Sequence, residues 1–234
     1  MADGKVILIT GGSTGIGAAT ARRAVEAGWR VALGARGEEK LQALAEELGG
    51  PEHALARRCD VTRLADQEAL VGAALEGFGR LDAVFANAGF GAKRGFLEES
   101  EEHWRAMVLT NVLGPALTIR AGLPHLLEAE AGHVVLTSSV AGRRALPGSL
   151  YSATKWAVTG MAESLRQELR QMHQNTSVRV TMIAPGMVDT PFFDDRPTGA
   201  LADDDIAAAV LYALTQPDHV DVNEILIRPA SQPT

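Results

Sequence analysis

Short runs that are apolar on successive residues recur along this chain and constrain its fold more than any other feature. They cover residues 5–10, 30–35, 54–59, 83–86, 133–137, 178–184 and 224–228. A strand exposed on one face alternates apolar with polar residues, so these unbroken runs predict strands buried on both faces. Longer amphipathic segments lie between them and predict helices, including long ones at 101–130 and 150–172, and several end at a glycine that favours a helix terminus. The pattern predicts an α/β fold, with a doubly wound parallel sheet of about seven strands and helices on both faces.

Composition narrows the possible functions. The 234 residues carry a net charge of -7, which disfavours binding to a nucleic-acid backbone. One cysteine and dispersed histidines predict no disulfide, no metal site and a reducing compartment. No linker, repeat or charge run divides residues 1–234, so we expect a single domain. The chain starts without a basic, cleavable leader and has no apolar run of membrane-span length, so we expect a cytoplasmic protein outside the membrane.

A glycine-rich turn joins the first predicted strand to the first predicted helix. It reads Thr10-Gly11-Gly12-Ser13-Thr14-Gly15-Ile16-Gly17. Glycines let backbone amides approach an anion closely, and the helix N-terminus adds favourable partial charge. The turn therefore predicts a binding site for the phosphates of a dinucleotide. The expected contacts are Gly11, Ser13, Thr14, Gly15 and Ile16.

A tyrosine and a lysine lie four residues apart in the predicted helix 150–172. Tyr151 and Lys155 therefore share one helix face. A nearby cation favours the phenolate, so Lys155 is expected to lower the pKa of Tyr151 from its usual value of about 10. The spacing predicts a general acid/base catalyst.

These features together resemble the short-chain dehydrogenase/reductase family, from Gly4 to about Arg228. Three more segments carry the resemblance: Asp60-Val61, Asn87-Ala88-Gly89 and Pro185-Gly186-Met187-Val188-Asp189-Thr190. The resemblance implies a single-domain Rossmann sheet in which Asp60 and Val61 contact the adenine. It also implies that Asn87, Ala88 and Gly89 support the sheet beside the nucleotide, and that Pro185, Gly186, Val188 and Thr190 hold the nicotinamide carboxamide. Ala86 departs from the family, which commonly has asparagine there.

The end of the second strand predicts which nicotinamide cofactor is used. An acidic residue there would hold the ribose 2′-hydroxyl, whereas an arginine accommodates a 2′-phosphate. Ala35 stands where the acid is expected, and Arg36 follows it. We therefore expect NADP(H), the alternative being that Arg36 is a solvated surface cation.

The resemblance also implies the catalytic roles in a hydride transfer between the nicotinamide and a small carbonyl or alcohol. Tyr151 would donate the proton, Lys155 would also bind the nicotinamide ribose, and Asn111 would hold a water linking the lysine to solvent. A serine would orient the substrate oxygen, and two are candidates. Alignment to Val140-Ala141-Gly142 favours Ser139, whereas Ser138 lies thirteen residues before Tyr151, the usual family separation. Adjacent strand residues point to opposite faces, so only one can serve.

Substrate recognition is expected from residues 92–97 and 143–150 and from the segment after Thr190. Phe192 and Phe193 could close over a substrate or simply pack. Arg143 and Arg144 could attract an anion or be solvated.

The carboxy-terminal residues 222–229 resemble a subgroup that includes reductases of 3-hydroxy acids, serine 3-dehydrogenases and a clavulanic aldehyde reductase. The family resemblance implies a homodimer or homotetramer. A catalytically silent NADP(H)-binding sensor or scaffold is the alternative to an enzyme.

Overall fold

The computed structural model describes residues 4–192 and 197–232 and contains a parallel seven-stranded sheet. The strands of the protein are β1 (Val6–Thr10), β2 (Arg30–Ala35), β3 (Ala54–Arg58), β4 (Ala83–Ala86), β5 (Gly132–Thr137), β6 (Val178–Pro185), β7 (Val188–Asp189), β8 (Leu201–Ala202) and β9 (Glu224–Ile227). The main sheet has the order β3-β2-β1-β4-β5-β6-β9, and β7 pairs with β8 in a small separate ladder. The predicted sheet is confirmed, whereas the β7-β8 ladder was not predicted.

Helices cover both faces of the sheet. They are α1 (Gly15–Glu26), α2 (Glu38–Glu47), α3 (Leu64–Phe78), α4 (Glu101–Val108), α5 (Gly114–Glu128), α6 (Leu150–Gln171) and α7 (Asp203–Leu214). The continuous helix predicted from residue 101 is interrupted by a π turn at Leu109–Leu113. Such turns are rare and occur often at functional sites.

Strand β1 shows why the apolar runs do not alternate. Its five residues are all buried. Val6 and Leu8 pack on one face with residues of α3, α5 and α6, while Ile7 and Ile9 pack on the other with residues of α1, α2 and α7. Because both faces are covered, every position of the strand must be apolar or hydrogen-bonded.

The strand order places a crevice at one edge of the sheet. Strand β1 pairs with β2 on one side and with β4 on the other, so the crossovers on its two sides run in opposite directions. In open α/β sheets, ligands bind where the strand order reverses, at the carboxyl ends of the strands. The segments that follow β1, β2, β4, β5 and β6 all meet at this edge.

The helical segment Glu101–Glu128 is long and apolar enough to span a membrane by length and composition alone, which the sequence pattern did not predict. Half of its most apolar window is buried inside the protein. Core helices of globular domains meet the same criterion, and α5 packs against α3 and β4. We interpret it as a core helix.

Candidate active site

A cavity of about 900 Å³ runs along the carboxyl edge of the sheet. Its walls contain these residues predicted from the sequence: Gly11, Ser13, Thr14, Gly15, Ile16, Arg36, Asp60, Val61, Asn87, Ala88, Gly89, Ser139, Tyr151, Lys155, Pro185, Gly186, Val188 and Thr190. Asn111 alone among the predicted site residues is absent from the walls, because it is buried behind them. The fold therefore brings together residues that lie up to 180 positions apart.

The glycine turn has the shape that close approach of a phosphate requires. Gly11 has a φ of +65°, and a Cβ there would lie 2.9 Å from the Cα of Ala88. A Cβ on Gly17 would overlap the carbonyl oxygen of Gly11. Within the described chain, the side chain of the N-cap residue Thr14 makes no capping hydrogen bond, so it leaves the first amides of α1 to other partners. This turn fits a dinucleotide pyrophosphate.

Asn87 ties three strand ends together beside this turn. Its Nδ2 donates to the carbonyl oxygens of Thr10 (3.2 Å) and Gly11 (3.4 Å), and its Oδ1 accepts from the Thr137 hydroxyl at 3.1 Å. Its backbone amide donates to the Thr10 hydroxyl at 3.1 Å. Asn87 thus joins β1, β4 and β5 at the floor of the cavity.

Arg36 and Asp60 lie at the end of the cavity formed by β2 and β3. Arg36 is exposed, and Asp60 accepts hydrogen bonds from the amide (3.0 Å) and hydroxyl (2.8 Å) of Thr62. Partial burial acts to raise the pKa of Asp60, but the Thr62 hydrogen bonds and the charges of Arg36 and Arg58 lower it below its ordinary value. This end of the cavity therefore presents a cation beside a firmly ionised carboxylate.

Lys155 and Tyr151 lie side by side on α6, facing the cavity. The ammonium of Lys155 donates to the carbonyl of Thr137 at 2.8 Å and lies 5.7 Å from the centroid of the Tyr151 ring. Burial lowers the pKa of Lys155 to about 8. The predicted helix face is therefore formed, and Thr137 holds the lysine against it.

The expected lowering of the Tyr151 pKa by Lys155 is wrong for this structure. Although part of the ring is exposed in the cavity, burial raises the pKa of Tyr151 to about 12, and a hydrogen bond with Ser139 acts in the opposite direction. The physical reason is that loss of hydration penalises the phenolate more than its neighbours stabilise it. The phenol is therefore protonated at neutral pH.

The two candidate serines point to opposite sides. The Ser138 hydroxyl donates to the carbonyl of Lys155 at 2.9 Å and lies 3.2 Å from the Thr159 hydroxyl, so it is directed at α6. The Ser139 hydroxyl accepts a hydrogen bond from the amide of Ala141 at 3.1 Å and is also hydrogen-bonded to the Tyr151 phenol. Of the two, Ser139 is the one beside the phenol.

Asn111 sits in the π turn between α4 and α5, with its side chain fully engaged. Its Nδ2 donates to the Phe90 carbonyl (2.9 Å) and the Thr154 hydroxyl (3.1 Å), and its Oδ1 accepts from the Phe90 amide at 3.0 Å. A Cβ on Gly89 would lie 3.1 Å from that Oδ1 and 3.5 Å from the Lys155 ammonium. Asn111 therefore lies directly behind Lys155, with both hydrogens of its Nδ2 and one lone pair of its Oδ1 already in hydrogen bonds.

Among the described residues, the aromatic ring of Phe192 covers the expected substrate side of the cavity. The Phe192 ring makes an edge contact with Tyr151, with 5.5 Å between centroids, and a Cβ on Gly91 would lie 2.8 Å from the same ring. Phe193 lies outside the described residues. Arg143 pairs with Glu224 at 2.7 Å, so it is not the free cation that the sequence allowed.

Several cavity residues were missed by sequence reasoning. They are Gly37, Cys59, Thr62, Phe90, Gly91, Ala106, Leu109, Thr110, Thr137, Val140, Ala141, Met187 and Gln232. The cavity walls also contain Ala92, Arg94, Leu146, Ser149, Pro191 and Phe192, which fall in the segments expected to contact substrate, the alternative candidate Ser138, and Ala35 at the predicted cofactor-selecting strand end. Thr137 could have been found as the strand end opposite Lys155. No local signal marks Gln232, which reaches the cavity from the carboxy-terminal turn. Within residues 4–192 and 197–232, no group of three or more His, Cys, Asp or Glu side chains is arranged to hold a metal ion.

Comparison with known proteins agrees with this geometry. A family model of the short chain dehydrogenases matches residues 5–200. An uncharacterized oxidoreductase of Listeria monocytogenes is 38% identical over 244 residues, covering 98% of each chain.

Solved structures give the same result. An alcohol dehydrogenase from the archaeon Thermococcus sibiricus, complexed with 5-hydroxy-NADP, superposes with a TM-score of 0.86 at 33% identity and 98% coverage of each chain. A short chain dehydrogenase/reductase from Burkholderia phymatum, complexed with NAD, has a TM-score of 0.86 at 29% identity, covering 96% of this chain and 89% of its own. The chain therefore belongs to the short-chain dehydrogenase/reductase family of NAD(P)-dependent oxidoreductases.

Proposed function

We propose that this protein is an NADP(H)-dependent oxidoreductase that transfers hydride between the nicotinamide and a small carbonyl or alcohol. The observation that carries the proposal is that one cavity joins a glycine turn and Arg36 at one end to Tyr151 and Lys155 at the other. An extended dinucleotide needs a cavity that joins two such distant ends. Reduction of a carbonyl beside the nicotinamide needs a proton donor at the far end of that cavity. Residues 1–234 would form a single domain, because both ends of the cavity are built on the same sheet.

Arg36 supports the preference for NADP(H). It is exposed at the end of β2, where the acidic residue typical of NAD-binding proteins is replaced by Ala35. Family members bind either cofactor, so the preference rests on this residue. Ser13, Thr14, Gly15 and Ile16 would receive the phosphates, Asp60 and Val61 the adenine, and Val188 and Thr190 the nicotinamide carboxamide.

The nicotinamide supplies or accepts the hydride when it is bound. In carbonyl reduction, Tyr151 would donate its phenolic proton to the substrate oxygen, and Ser139 would hydrogen-bond the same atom as negative charge develops on it. Lys155 would hold the nicotinamide ribose and place a positive charge beside the phenol. Asn111 would keep Lys155 in place and hold a water through its main chain.

The protonation state of Tyr151 differs between the two directions of the proposed reaction. A phenol with its pKa raised to about 12 is protonated at neutral pH, which is the form that donates a proton in carbonyl reduction. Alcohol oxidation needs the phenolate instead, so its rate should depend on pH.

The proposal is tested by NADPH oxidation against a panel of aldehydes, ketones, keto acids and quinones. Turnover of one class, lost in Tyr151→Phe by roughly 10²- to 10⁴-fold, is expected. Binding of NADPH is followed separately by its fluorescence. Tight binding with no turnover across the panel would favour the silent sensor or scaffold, and absence of binding would refute both.

The assembly and compartment are also proposals. Val108 at the end of α4, Leu113 in the π turn and Trp156 on α6 are each at least 40% exposed, and this apolar surface supports a homodimer or homotetramer. The single cysteine, Cys59, is buried and free, which supports a reducing cytoplasm. Light scattering tests the assembly, and a strict monomer at every concentration would contradict it.

A further inference from the structure

We propose that Gln232 is a positioning residue for the loop that would hold the nicotinamide, acting through the backbone amide of Met187. This inference rests on the proposed function. It assigns the carboxy-terminal turn, residues 229–232, to the cofactor site.

Three hydrogen bonds within the described residues, from three parts of the chain, hold Gly186 and Met187 in the loop after β6. The amide of Gly186 donates to the carbonyl of Ile227 at 2.7 Å, and the carbonyl of Met187 accepts from the amide of Leu201 at 3.0 Å. The amide of Met187 donates to Oε1 of Gln232 at 2.9 Å. The first two bonds join backbone groups, so Gln232 is the partner that a substitution can remove.

The carboxy-terminal turn is folded directly onto this loop. The amide of Gln232 donates to the carbonyl of Pro229 at 3.0 Å, which turns the chain end back toward β6. A Cβ on Gly186 would overlap Gln232 Oε1 and would lie 3.0 Å from the Cα of Arg228. Only a glycine fits under the turn, so the turn and the loop are matched in shape.

The position of Gln232 limits which part of the cofactor it can affect. Gln232 lines the cavity together with Pro185, Met187 and Val188. Val188 follows Met187 directly, is 4% exposed and pairs with Leu201. Without the Gln232 acceptor, the Met187 amide loses its partner and the loop loses one of its three supports. The glycine turn and Arg36 are built on β1 and β2 and do not depend on it.

The experiment compares two ligands that differ only in the nicotinamide end. Dissociation constants are measured for NADPH and for 2′-phospho-ADP-ribose, which has the adenine, 2′-phosphate and pyrophosphate but no nicotinamide. Gln232→Met removes the acceptor at similar length, Gln232→Glu keeps an oxygen acceptor, and Ser231→Ala is a matched control on the same turn. We expect Gln232→Met to weaken NADPH binding by roughly three- to tenfold, as for loss of one hydrogen bond, with little effect on the fragment. Ser231→Ala should bind both ligands like the wild-type protein, and Gln232→Glu should keep more of the NADPH affinity than Gln232→Met, because it retains the oxygen acceptor.

A second readout does not depend on the cofactor. Hydrogen exchange of the peptide containing Met187, measured on the protein without cofactor, should be faster in Gln232→Met than in the wild type and near wild type in Gln232→Glu. Unchanged exchange would overturn the contact itself. Equal weakening of NADPH and the fragment would overturn the positioning role, because it would mean a general effect on the fold.

The two proposals fail differently. If the wild-type protein binds NADPH and Gln232→Met binds it equally well, this inference alone is refuted. If the wild-type protein does not bind NADPH, the proposed function is refuted and the nicotinamide role of Gln232 falls with it.

Discussion

Alanine substitution of two adjacent serines should damage the protein in two different ways. Ser138→Ala removes the hydroxyl that donates to the Lys155 carbonyl at 2.9 Å and lies 3.2 Å from Thr159. Each buried hydrogen bond contributes about 0.5–1.5 kcal/mol net, so the variant should lose about 1–3 kcal/mol of unfolding free energy. For a chain of this size, that corresponds to a fall in Tm of roughly 2–12 °C. Turnover should change much less than in Ser139→Ala, since the Ser138 hydroxyl is bonded to the Lys155 carbonyl and to Thr159 on α6 and not to the Tyr151 phenol.

Ser139→Ala should instead remove most of the activity. Its hydroxyl lies beside the Tyr151 phenol, and loss of one hydrogen-bond donor to a developing oxyanion costs roughly 10²- to 10³-fold in kcat. Ser139 also caps the short 3₁₀ helix Val140–Gly142 by accepting from the Ala141 amide, and loss of an N-cap hydrogen bond should cost about 0.5–2 kcal/mol of unfolding free energy.

The assay combines thermal unfolding of both variants with steady-state NADPH oxidation on the carbonyl substrate identified by the panel. Tyr151→Phe serves as the reference for a variant that lacks the proton donor. Loss of turnover in Ser138→Ala with retention in Ser139→Ala would refute the reasoning, because it would mean that the strand end faces the other way during catalysis.

Three more predictions concern the cofactor end, the proton donor and the core. Arg36→Asp should shift the preference from NADPH toward NADH by roughly 10- to 100-fold, because a charge-assisted hydrogen bond contributes about 1.5–3 kcal/mol; titrations with both cofactors that show no shift would contradict it. Alcohol oxidation should rise by up to about tenfold per pH unit from pH ~6 to ~9, because burial raises the pKa of Tyr151 to about 12 and only the phenolate accepts a proton. A pH-independent oxidation rate would count against that role. Burial, and secondarily Arg179, lowers the pKa of His133 from 6.5 to about 3, so the unfolded chain protonates first as the pH falls. The free energy of unfolding should therefore decrease as the pH is lowered from 6.5 to about 3, by up to about 1.4 kcal/mol per pH unit. In urea unfolding, His133→Gln should reduce this dependence on pH, and an unaltered dependence would assign the acid sensitivity to other groups.

Much of the fold and part of the site follow from local patterns. The seven strands of the sheet lie within one residue of the predicted runs at either end. For the five inner strands the reason is burial on both faces, which leaves a continuous apolar signature, whereas the edge strands β3 and β9 are partly exposed, contrary to the prediction. The glycine turn and the Tyr151–Lys155 pair are also local, since each depends on a spacing within one element. The π turn around Asn111 left no such signature, and the residues on either side of it predict an unbroken helix.

The features of the site that only the tertiary structure decided depend on groups that are distant in the chain. The choice between Ser138 and Ser139 needed the packing of β5 against α6, and Arg143 found its partner 81 residues away in Glu224. Gln232 reaches Met187 across 45 residues, and no spacing rule connects them. The pKa of Tyr151 was misjudged because sequence spacing shows the neighbouring charge but not the loss of hydration. The sequence by itself determined the sheet and the Tyr151–Lys155 pair, since these arise from short-range periodicity. The tertiary structure decided the orientation of the side chains, the contacts that support them and their protonation, since these arise from burial and contacts across the fold.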